Sequence, residues 1–125
     1  MNTYRCIVLN RSWLANNPLD AFIKRTGCLD VVWTGAFSEE AIQRLQTEQF
    51  DLVIASLPLE ETLSDSMIRA LRQLPWLILT SSYPKRRQTQ LGLQPLAYLH
   101  EPFSADQFQQ SVQTFITLHQ DSSLQ

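Results

Sequence analysis

Five short apolar runs recur along the chain: YRCIVL (4–9), CLDVVW (28–33), DLVIAS (51–56), PWLILT (75–80) and LAYLH (96–100). Each is rich in β-branched and aromatic residues and is followed by a stretch with helical spacing. Segments such as CIVL and LVIA are apolar at consecutive positions instead of alternating. Strands of that kind are covered on both faces, as in a parallel sheet between two helical layers, whereas an antiparallel sandwich alternates. The sequence therefore predicts an α/β domain of five βα units. No internal repeat or low-complexity linker interrupts it. At 125 residues it is one domain by size, long enough to bury roughly two-thirds of its unfolded surface around one core. The folded part is expected over 1–120, with 121–125 a disordered polar tail.

The helices have readable ends. Ser38 is an N-cap followed by Glu39 and Glu40, whose charges suit the positive end of the helix dipole, and Phe37 can staple onto Ile42. Ser104 repeats the device, with Gln107 at the capping-box position and Phe103 facing Phe108. Beyond it Phe108, Val112, Phe115 and Ile116 make one apolar stripe, which predicts a last helix over 105–119. In the first helix Leu14, Leu19, Phe22 and Ile23 mark the buried side and Gly27 the stop; Asn17-Pro18 offers a cap and an N1 proline for a restart.

Composition excludes several classes of function. Ten Lys and Arg against twelve Asp and Glu give a net charge of −2 and a pI near 5.6, so no global field draws the chain to nucleic acid or anionic lipid. Cys6 and Cys28 lie in apolar contexts without metal-ligand spacing, which predicts reduced, buried thiols and a cytoplasmic setting. No apolar run reaches the ~18 residues of a membrane span, and MNTYRCIVLN lacks the pattern of a signal peptide.

Candidate chemistry is sparse. His100 is adjacent to Glu101, but neighbouring strand residues point to opposite faces, so the two cannot serve one pocket. His100 is read as packed or superficial, and His119, near the polar tail, as solvent-exposed. Lys85, Arg86 and Arg87 form the one basic cluster, without interleaved aromatics, and read as a solvated helix turn or a contact for an acidic protein patch. Trp33 and Trp76 read as packing residues, whereas Trp13 fits either a pocket cap or an exposed contact. LPLEETLSD (57–65) reads as a solvated acidic loop with Ser64 capping the third helix.

Five βα units closed by an aromatic strand and a residue-Pro-Phe corner resemble the receiver domain of response regulators over about 4–118. LDVVWTGAFSEEAIQRL, FDLVIAS, LILTSSYP and YLHEPFSADQF are most similar to receivers of LytTR-type regulators. The resemblance implies a doubly wound flavodoxin-like sheet of order 2-1-3-4-5, with a pocket at the carboxyl ends of the strands. A working receiver carries an acidic pair after strand one, an aspartate ending strand three, a Thr or Ser ending strand four and a lysine before the proline after strand five. Three carboxylates hold Mg²⁺, and the aspartate takes the phosphoryl group.

In this chain those positions fall on Asn10 and Arg11, Ser56, Thr80 and Glu101; Thr80 alone matches, and the switch aromatic falls on Tyr98. Carried over, the resemblance implies a degenerate pocket without Mg²⁺, cofactor or catalysis, in which Arg11 and Glu101 exchange the usual signs. It implies phosphorylation-independent protein–protein interaction in two-component-type signalling or transcriptional regulation. The expected partner is a protein, or a second copy, on the face of the fourth helix, fifth strand and fifth helix around Tyr98 and residues 85–87, with no direct nucleic-acid or membrane binding. A rival reading is a small-ligand or enzymatic site in the same crevice, lined by Asn10, Arg11, Ser56 and Thr80.

Overall fold

The computed structural model describes residues 3–9, 19–56, 63–81, 92–100 and 103–123. The strands are β1 (Tyr4–Leu9), β2 (Leu29–Gly35), β3 (Leu52–Ser56), β4 (Leu77–Ser81) and β5 (Ala97–His100). Between them lie α1 (Leu19–Thr26), α2 (Glu39–Thr47) and α3 (Asp65–Arg72), and the last helix spans Ala105–Ser123. All strand pairs are parallel, in the order β2-β1-β3-β4-β5. This is the doubly wound sheet that the apolar runs and the resemblance predict.

The consecutive apolar residues behave as double-sided burial requires. Cys6, Val8, Leu52, Ile54 and Ile78 face one layer, packed with Leu19 and Ile23 of α1 and Phe108, Val112 and Phe115 of the last helix. Ile7, Leu9, Val53, Ala55 and Leu79 face the other, with Ala41 of α2 and Met67 and Leu71 of α3. Every residue of β3 and β4 is buried, and each fully buried Leu, Ile or Phe side chain is worth about 1.5–3 kcal/mol. The edge strand β2 is only half covered, and its pairing with β1 shifts register between Cys6 and Ile7, so that Val32 is the extra residue.

The capping residues act as expected. The Ala41 N–H donates to Ser38 Oγ (3.2 Å) and the Met67 N–H to Ser64 Oγ (3.1 Å). Ser104 and Gln107 close a reciprocal box, with the Gln107 N–H on Ser104 Oγ (3.1 Å) and the Ser104 N–H on Gln107 Oε1 (2.8 Å). The Phe103 and Phe108 rings stack with centroids 6.3 Å apart. Gly27 ends α1 at φ +68, a conformation that favours glycine, and its N–H donates to the Lys24 carbonyl. The start proposed for the first helix at Asn17-Pro18, and Leu14, lie outside the described residues.

Two expectations are corrected near the chain's end. The last helix continues to Ser123 instead of stopping at His119. His119 is not solvent-exposed but half-buried: its ring lies 5.5 Å from Tyr4, 5.9 Å from Trp76 and 5.3 Å from Phe115, centroid to centroid. Its Nε2 is 3.7 Å from Asp51 Oδ1, and Gln120 Nε2 donates to the Tyr4 hydroxyl at 3.5 Å. These contacts fasten the final turns to the amino-terminal edge of the sheet, which is why the helix persists through a polar sequence.

Candidate functional site

Parallel pairing brings the carboxyl ends of β3 and β4 level, with Ser56 opposite Thr80 and Thr80 opposite Leu99 of β5. Ser56 and Thr80 follow Ile54 and Ile78 by two positions, so they point to the same side as those residues, toward α1 and the last helix. Both are almost completely enclosed, at 5% and 1% exposure. The Thr80 hydroxyl donates to Ser56 Oγ across 2.8 Å. The hydroxyl-to-hydroxyl contact is neutral and buried, and burial makes each such bond costly to break.

The chemistry open to this pair is limited. A hard dication such as Mg²⁺ requires carboxylate oxygens, and two hydroxyls turned on each other do not supply that donor set. Among the described residues no group of three or more His, Cys, Asp or Glu is arranged to hold a metal. Of the other pocket positions read from sequence, Asn10, Arg11 and Glu101 lie outside the described residues, as do Trp13 and the basic cluster Lys85, Arg86 and Arg87. Most of the acidic loop (57–62) is also outside them; Ser64 and Asp65 open α3 as expected.

On β5, Tyr98 is half-buried against the α2–α3 layer and pairs in register with Leu79. Leu99 faces the opposite layer, and His100 is exposed beside Ser81 in the next register row. Strand alternation thus holds at this corner. Trp33 and Trp76 both pack, and the Arg44 guanidinium lies 5.8 Å from the Trp33 ring centroid. Both cysteines are free thiols; Cys6 is fully buried and Cys28 half-buried. Burial pushes the Cys6 thiol up from 9.0 to about 12, with smaller contributions from Asp30 and Cys28, so it is a packing group and not a nucleophile at neutral pH.

With this geometry in place, solved structures are informative. The response regulatory domain of protein mrkE from Klebsiella pneumoniae superposes with a TM-score of 0.74 at 13% identity, covering 94% of this chain and 98% of that one. The fold is that of receiver domains. A signal receiver domain of a modulated diguanylate cyclase from Desulfovibrio desulfuricans matches at TM-score 0.72 and 19% identity, over 99% of this chain and 100% of the other. The receiver domain of a sensor histidine kinase from Pseudomonas aeruginosa, which has a magnesium ion coordinated in its active-site cleft, matches at 0.70 and 15%, over 92% and 98%. No protein-family model and no curated protein matches the sequence. Among the described residues no helix is long and apolar enough to cross a membrane.

Proposed function

We propose that this receiver fold serves as a degenerate, phosphorylation-independent signalling domain of the two-component type, acting through protein–protein contact. The observation that carries the reading is Ser56. It occupies the end of β3, where the receiver resemblance puts the phosphoacceptor carboxylate, and its hydroxyl accepts a hydrogen bond from Thr80 in a buried setting. A serine there has neither acyl-phosphate chemistry nor a metal-binding carboxylate. Arg11, two residues past β1, and Glu101, directly after β5, then form the reversed pair that holds the strand-end loops without a cation. The contact face is built on β5 and the last helix, with Tyr98 on β5 and the basic residues Lys85, Arg86 and Arg87 as its recognition elements, and it takes a protein partner with an acidic patch or a second copy.

The test is chemical. The protein is incubated with Mg²⁺ and a small phosphodonor, and its intact mass is measured. An unchanged mass is expected; stoichiometric phosphorylation at Ser56 would overturn the proposal. For the contact face, Arg86→Glu should abolish capture of the partner.

A further inference from the structure

We draw no further inference here: the strongest candidate, the groove between α2 and α3 with half-buried Ile42, Leu45, Phe50 and Leu74 in its lining, carries none, because nothing in the structure shows what covers it.

Discussion

Thr80 and Ser56, on neighbouring strands at the carboxyl edge of the sheet, are joined by a 2.8 Å hydrogen bond between their hydroxyls. The bond makes a measurable prediction about stability. Ser56→Ala and Thr80→Val should each destabilise the domain by about 0.5–1.5 kcal/mol, and the double variant by less than their sum, since both remove the same bond. Ser56→Asp should cost more than Ser56→Ala, because a buried carboxylate at this position loses its hydration. Urea titrations of the four variants check the order.

Arg11 and Glu101 supply the second prediction. If they oppose each other across the strand-end crevice, as proposed above, Glu101→Lys places two cations together and should destabilise the domain by about 1–3 kcal/mol. Combining it with Arg11→Asp should recover much of the loss. A double-mutant cycle by urea denaturation that shows no coupling would mean that the exchanged signs have no structural role.

Cys6 predicts a pH dependence. Its thiol holds its proton up to about 12 in the folded protein, against 9.0 ordinarily. Above pH 9 the unfolded chain therefore loses a proton that the folded chain keeps. The resulting contribution is fully present below pH 9 and is lost as pH rises toward 12, at up to about 1.4 kcal/mol per unit. The slope of stability against pH over this window should be shallower in Cys6→Ala than in the wild type. At neutral pH, iodoacetamide should modify Cys28 in the native protein and reach Cys6 only after unfolding.

At the other edge of the sheet, His119 separates packing from charge. Its ring touches three aromatic rings, while its Nε2 lies 3.7 Å from Asp51 Oδ1 in a contact about one-third exposed on both sides. Exposed pairs of this kind are worth less than about 1 kcal/mol. His119→Ala should thus cost about 1–2 kcal/mol through lost packing, and Asp51→Asn distinctly less. Thermal denaturation of both variants gives the comparison.

The sheet was legible because its strands are apolar on consecutive positions, and that pattern survives any local detail. The caps at Ser38, Ser64 and Ser104 were legible because each bond is made within three residues of its donor. His119 was not. Its surroundings come from Tyr4, Asp51 and Trp76, far away in sequence, and a polar flank conceals an aromatic box assembled by the fold. The register shift opposite Cys6 was equally invisible, since VVW reads as an ordinary strand. Of the candidate site, the resemblance placed Ser56 and Thr80 at the ends of neighbouring strands, where the structure has them, but the bond between them required the register of β3 and β4.

The register shift in β2 has a bearing on behaviour at high concentration. With Val32 as an extra residue, both Val32 and Trp33 pack against the α2–α3 layer, although they are consecutive. The outer strand is therefore bent where a straight one would offer an even row of N–H and C=O groups. Such a margin is a poor template for a neighbouring molecule's strand, so crowded copies are steered away from the edge-to-edge stacking that ends in fibres.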